Sequence, residues 1–189
     1  ATGAVVWQTS LATTGKLLAS DEVVAIQDFA SDGFRLLDPA TGITRTVLTT
    51  ITDPLLVGDV FYDLDDGDQL AAYDGSTGNM IYQNMIFEPH FRGGLSLDVG
   101  DAKGVGYSQI LVGAGLTGGP RVTLLDASTD KVLLNYFAYE NANRGGVSVA
   151  ISDLRGGNQN NIITGAGTGL GCLDFAELTV AVDIEHDTP

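Results

Sequence analysis

The densest group of residues able to do chemistry is Asp63-Leu64-Asp65-Asp66-Gly67-Asp68. Alternating carboxylates around a glycine suit the first half of a calcium loop, because a hard cation takes about six to eight oxygen ligands. Asp59 stands just upstream as the nearest additional donor. No glutamate follows at the EF-hand distance and no helical pattern flanks the run, which excludes that geometry. Two readings remain: calcium held by Asp59, Asp63, Asp65, Asp66 and Asp68, or a solvated acidic hairpin turn.

Other constellations carry less. Gly113, Gly115 and Gly118 have the spacing of a dinucleotide fingerprint, but Gly119-Pro120-Arg121-Val122 leads into another strand. The fingerprint needs a helix N-terminus to meet the pyrophosphate, so the glycines read as a tight turn between strands. Glu88-Pro89-His90 sets a carboxylate beside one of two histidines; the other, His186, lies in the tail. No nucleophile elbow and no histidine-rich metal set accompanies them.

Arg92 and Arg144 are more telling. Both precede a Gly-Gly pair in a chain of only nine basic residues. Their structural reading is a tie between repeats, to Asp101 or Asp153 or to carbonyl groups. Their binding reading is a guanidinium fork presented to carboxylates or sugars. Tyr136, Phe137 and Tyr139, with Tyr82 and Phe87 one repeat earlier, read as aromatics packed within the repeats, with glycan stacking as the alternative.

What positions these residues is a repeat. RGGLSLDVGD from Arg92 returns as RGGVSVAISD from Arg144, an offset of 52 residues (144 − 92) that holds without a gap. Ile110 meets Ile162, and Gly113-Ala114-Gly115 meets Gly165-Ala166-Gly167. A period near 50 marks a repeated supersecondary unit, usually a propeller blade at this length. A second motif, Asp38-Pro-Ala-Thr-Gly42, recurs as Asp74-Gly-Ser-Thr-Gly78 and Asp126-Ala-Ser-Thr-Asp130. Aspartate followed by Thr or Ser suits a turn whose side-chain oxygens bind backbone N–H groups. The first two copies are only 36 residues apart (74 − 38), against 52 for the next pair (126 − 74). The deficit of 16 is about one strand and its loop, so the early blades are expected to be short or eroded.

The predicted strands of the best repeat are Leu95–Val99, Ser108–Val112, Arg121–Asp126 and Val132–Tyr139. Val147–Ile151 and Asn161–Thr164 follow, and Leu173–Ile184 is long enough for two strands or a crossover. No 3.6-residue periodicity persists over ten positions. The expectation is a single all-β domain over 1–189: β-propeller-like repeats of antiparallel strands, in three to four blades. Repeats are clear over about 55–170 and degenerate over 1–54, and a strand and acidic tail fill 171–189.

Composition bounds the partners. Glycine accounts for 25 of 189 residues and clusters between short β-branched runs, where tight turns fall. The net charge of −15 repels phosphate backbones and anionic lipid, which argues against nucleic acid and membrane. No apolar run approaches the roughly 18 residues of a span. Cys172 is the only cysteine, so no intrachain disulfide forms. The sequence opens on Ala1 without a methionine, as a processed chain would.

At Asp101…Ile110-Leu-Val-Gly-Ala-Gly115…Gly119-Pro120-Arg121-Val122, then Leu125-Asp126 and Tyr136-Phe137-Ala138-Tyr139, the chain resembles the FG-GAP/VCBS repeats of integrin-like β-propellers. The resemblance implies four-stranded blades used for binding and adhesion, outside the cell, at its surface or in the periplasm. Family blades often hold calcium in a D-x-D/N-x-D-G-x-x-D loop. Here Asp101-Ala-Lys-Gly and Asp153-Leu-Arg-Gly keep only the leading aspartate, so neither loop is expected to bind calcium. Seven blades of 52 residues exceed this chain, which leaves a fragment, a compact irregular propeller, or a protomer that closes with copies of itself.

The functional expectation is a non-catalytic binding or structural module of an exported protein, meeting protein or glycan through loops and blade edges. One alternative is a lectin-like propeller that binds carbohydrate. The other is a propeller subunit of an enzyme with an acidic site.

Overall fold

The computed structural model describes residues 6–9, 15–29, 33–49, 51, 53–64, 69–154 and 160–167, together with the backbone of 178–182. Among them every strand pairs antiparallel to its neighbour in sequence order. The first sheet is β1 (Leu17–Ala19), β2 (Val24–Asp28), β3 (Gly33–Leu37) and β4 (Thr44–Leu48). The second is β5 (Leu55–Val57), β6 (Val60–Leu64), β7 (Gln69–Asp74) and β8 (Met80–Met85). The third is β9 (Leu95–Gly100), β10 (Gln109–Ala114), β11 (Arg121–Asp126) and β12 (Val132–Phe137). The fourth holds β13 (Val147–Ser152), β14 (Asn161–Ala166) and β15 (Leu178–Val182). The chain is all-β and built of propeller-like blades.

The apolar pattern decides which strands go inside. Gln109-Ile-Leu-Val-Gly-Ala114 is apolar on both faces, and all six residues of β10 are buried. Such a continuous run, unlike an alternating one, has no side to offer to water. The fourth strands carry polar residues between their apolar ones: β4, β8 and β12 are largely exposed.

Contacts divide the chain into two compact units, 1–85 and 86–189, so the single domain expected from sequence is organised as two pairs of blades. In the first unit Val23, Ala25, Phe34 and Leu36 of one blade pack with Phe61, Ala71 and Tyr73 of the next. In the second, Leu111, Val122 and Leu124 pack with Val147 and Ile162. Side chains also stitch this second pair. Ser96 Oγ accepts the Val149 N–H at 3.0 Å, and Asp98 Oδ2 accepts the Ile151 N–H at 2.6 Å. Two residues of β9 thus cap alternate amides of β13.

The early blades are short, as expected, without being eroded. Each keeps four strands, and the 16-residue deficit is spread along the repeat. Its largest share is the turn between first and second strands, which has two residues after β5 and eight after β9. The first strand itself shortens from six residues in β9 to three in β5. A first strand needs few residues when its neighbour is already paired on the other side, so shortening costs little pairing. In the C-terminal part, Leu173–Ile184 contributes one strand, β15; the rest of it and the tail lie outside the described residues.

Candidate functional site

The Asp turn is the most exactly repeated local structure. In three blades the register shifts just before it, at Leu36/Leu37, Ala72/Tyr73 and Leu124/Leu125. An extra residue there bends the strand and tightens its twist. The aspartate then organises the turn. Asp74 Oδ1 accepts the N–H groups of Ser76 (3.0 Å) and Thr77 (2.7 Å) and both their hydroxyls. Asp38 and Asp126 accept from the same two positions. The fifth residue closes each turn by donating to the aspartate carbonyl with positive φ: Gly42, Gly78 and Asp130.

These carboxyls are held ionised. Arg45 and then the Thr41 hydroxyl lower Asp38 to about 2. Ser76 and Thr77 lower Asp74 to about 2, and Ser128 leads in lowering Asp126. Acids so saturated with donors serve as caps rather than as proton carriers.

The acidic run behaves differently from the calcium expectation where it can be followed. Asp59 lies in the β5–β6 turn and Asp63 near the far end of β6. They stand four strand steps apart, about 13 Å, too far for one ion to bind both carboxylates. Asp59 and Asp63 therefore do not share one ion. Asp63 is buried, and its Oδ1 accepts the Asp53 N–H at 3.1 Å. Asp65, Asp66 and Asp68 lie outside the described residues. No group of three or more candidate metal ligands occurs among the described residues. In the Asp101 loop the two carboxylate oxygens accept the N–H groups of Val105 (2.9 Å) and Gly106 (2.7 Å), which closes the loop on itself.

The arginine pair keeps its equivalence in three dimensions. Arg92 Nη1 donates to the carbonyls of Pro89 (3.0 Å) and Phe91. Arg144 Nη1 donates to those of Asn141 and Asn143 (3.1 Å), the positions 52 residues on. Asp101 and Asp153 are not the partners, since each follows the six-residue strand that its arginine precedes. The tie is to the arginine's own loop. Arg35, Arg45 and Arg121 each pair with a carboxylate, namely Asp28, Asp38 and Glu88. Among the described residues neither Arg92 nor Arg144 has an acidic partner, although carboxylates abound.

Arg144 borders an open concavity of about 260 Å³ lined by Thr117, Gly118, Gly119, Phe137, Asn141 and Arg144. The β10–β11 turn supplies three of these, the end of β12 supplies Phe137, and the β12–β13 connection supplies Asn141 and Arg144. The Thr117 N–H donates to the Arg144 carbonyl at 2.9 Å and holds the two loops together. Thr117 has φ of 74°, a region where a β-branched residue is strained. Phe137 is 55% exposed beside the opening, whereas Tyr136 and Tyr139 pack on the core. The expectation of a packed Phe137 fails for a simple reason. Neighbouring residues of a strand face opposite ways, so Tyr136 and Phe137 could not both point inward. That alternation was the available signal for Phe137. Thr117 and Asn141 left none, because both stand in turns without periodicity.

Of the remaining sequence candidates, Gly113, Gly115 and Gly118 belong to a strand–turn–strand, with β10 and β11 on either side. Glu88 pairs with Arg121 at 2.7 Å, and His90 is exposed in a turn. Cys172 and His186 lie outside the described residues.

No family model and no curated protein matches the chain. Solved structures do. The computationally designed Ika4 protein aligns with TM-score 0.56 and 16% identity over 92% of this chain and 96% of its own. The designed Ika8 protein gives 0.53 and 15% over 79% of this chain, which spans only 42% of that one. BamB from Moraxella catarrhalis gives 0.47 and 17% over 78% of this chain and 44% of its own. At such identities the likeness to the two designed proteins is one of fold alone, that of repeated antiparallel blades.

Proposed function

We propose that the chain is a non-catalytic binding and structural module of FG-GAP/VCBS-type repeats, from an exported protein, meeting a protein or glycan through its blade loops. The observation that carries the reading is the concavity at Arg144. It joins an exposed aromatic, an amide, a hydroxyl and a fixed guanidinium, the mixture that orients a ligand. No carboxylate, histidine or cysteine lines it. The turn carboxylates, held ionised by their own turns, favour a structural use of the acids over the alternative of an enzyme with an acidic site.

The test is an array carrying both glycans and proteins, probed with the chain and with the Phe137→Ala/Asn141→Ala variant. The expected result is retention of a ligand, recovered chemically unchanged, that the variant loses with its circular dichroism intact. A ligand recovered cleaved or modified overturns the non-catalytic reading, and no retention on either half overturns the binding reading.

A second reading, self-association, is favoured by β8. This edge strand exposes Met80, Ile81 and Met85, each more than 40% accessible. An exposed edge strand that carries apolar side chains is a template for another copy.

A further inference from the structure

We infer that the concavity between the β10–β11 turn and the β12–β13 connection binds a sugar acid, with Arg144 taking the carboxylate and Phe137 the ring face. The inference rests on the binding reading above and names its ligand class. Three independent features converge there. Arg144 is fixed by two carbonyls at Nη1 and has no acidic partner among the described residues. A guanidinium anchored at one nitrogen by neutral acceptors keeps its charge and its other N–H groups for an incoming anion, and a carboxylate matches that fork. Phe137 presents a large apolar surface at the opening, with 55% of it exposed. Thr117 holds a strained backbone conformation at the same place, a cost typical of binding and catalytic sites.

The pocket's size and its neutral groups select among carboxylates. About 260 Å³ lies below the roughly 300–1,000 Å³ of drug-sized sites, so one ring enters at a time. The Asn141 amide and the Thr117 hydroxyl suit sugar hydroxyls, since each can donate or accept. A peptide C-terminus is captured instead by a nest of free backbone N–H groups. Here the Thr117 N–H is taken by the Arg144 carbonyl, and the Gly118 N–H by that of Gly115 at 3.1 Å. Two adjacent amides that a peptide carboxylate would want are spent.

The experiment is titration of the isotope-labelled chain with methyl glucuronide, with methyl glucoside, acetate and an acetylated dipeptide as parallel probes, followed by amide shifts. Methyl glucuronide is expected to saturate with shifts at Gly118, Gly119 and Phe137, and to bind at least tenfold more tightly than methyl glucoside. Arg144→Ala should abolish the difference between those two sugars. Phe137→Ala should weaken both by about tenfold, and it keeps the test decisive should Arg144→Ala fail to fold. Lys131→Ala, which removes a distant positive charge, should change neither. Equal affinity for the two sugars, or saturation by acetate or dipeptide alone, overturns the sugar-acid assignment while leaving a binding site in place. Absence of any saturable shift, with no retention on the array, overturns both it and the binding module.

Discussion

The backbone N–H of Gly115 donates to the carbonyl oxygen of Gly94 at 2.8 Å, and Gly167 meets Gly146 at 2.9 Å in the next repeat. This bond pins the turn after β10 against the loop entering β9. A Cβ on residue 115 would lie 2.2 Å from the Gly93 oxygen and 2.5 Å from that of Gly94. Both are backbone atoms and cannot swing away. Gly115→Ala is therefore expected to cost about 2–3 kcal/mol in denaturant unfolding, as overpacking does. Gly118→Ala meets chiefly the Phe91 ring and should cost less, about 1 kcal/mol. Equal losses would show that the close approach is not what the Gly-Ala-Gly motif serves.

The repeated aspartates predict how stability depends on acid. Asp38 and Asp74 titrate at about 2 in the folded chain, below the ordinary 3.8, and Asp126 is lowered in the same direction. A depressed folded value means that the stabilisation is present above the unfolded pKa and fades as pH falls through the folded one. Melting temperature should be level above about pH 5 and decline from about pH 4 towards 2. The carboxyls are solvent-exposed, so the decline is shallow. Asp74→Asn with Asp126→Asn keeps an acceptor oxygen in each turn but removes its titration. The double variant should melt with a flatter profile over that window; an unchanged slope would assign acid sensitivity elsewhere.

Much of this fold is readable from residue types. The offset of 52, the Asp turn and the apolar run at Ile110 each impose a local geometry, and the strands fall where those patterns put them. The spacing left the early blades as either short or eroded, because a difference in spacing gives length without location. A two-residue turn after β5 and a three-residue first strand remove as much chain as a missing element would. The side chains that bridge blades were illegible for another reason. Asp98 aligns with Ala150, so its bond to the Ile151 N–H is unique to one blade and leaves no period. Arg144 was legible as a candidate, but its concavity needed Thr117 and Phe137, which sequence separation hides.

The ion pair of Arg121 and Glu88 shows which kind of contact matters at an exposed edge. Their side chains are 26% and 71% accessible, and a pair so placed contributes about 0–0.5 kcal/mol. Arg121 does more, because its guanidinium lies 5.2 Å from the Phe87 ring centre and its Nε donates to Asn135 at 3.0 Å. Arg121→Ala should cost about 1 kcal/mol and Glu88→Ala no more than about 0.5. A double-mutant cycle should leave a coupling near the lower figure. Coupling above about 1.5 kcal/mol would mean that the pair is screened from water in solution.

The edge strand β8 gives the prediction that bears on assembly. Met80 and Ile81 are 50% and 52% exposed on the edge strand of their sheet, where Met80 pairs with Tyr73 of β7. If copies pair there, light scattering after size exclusion should give a mass above 19.7 kDa that rises with concentration. Ile81→Lys places a charge on the edge, which opposes pairing without touching the buried core. It should return the mass to that of one chain at every concentration, with the melting temperature unchanged. A wild-type chain already at 19.7 kDa throughout would remove the self-association reading. The exposed apolar side chains of β8 would then have to be accounted for within the protein itself.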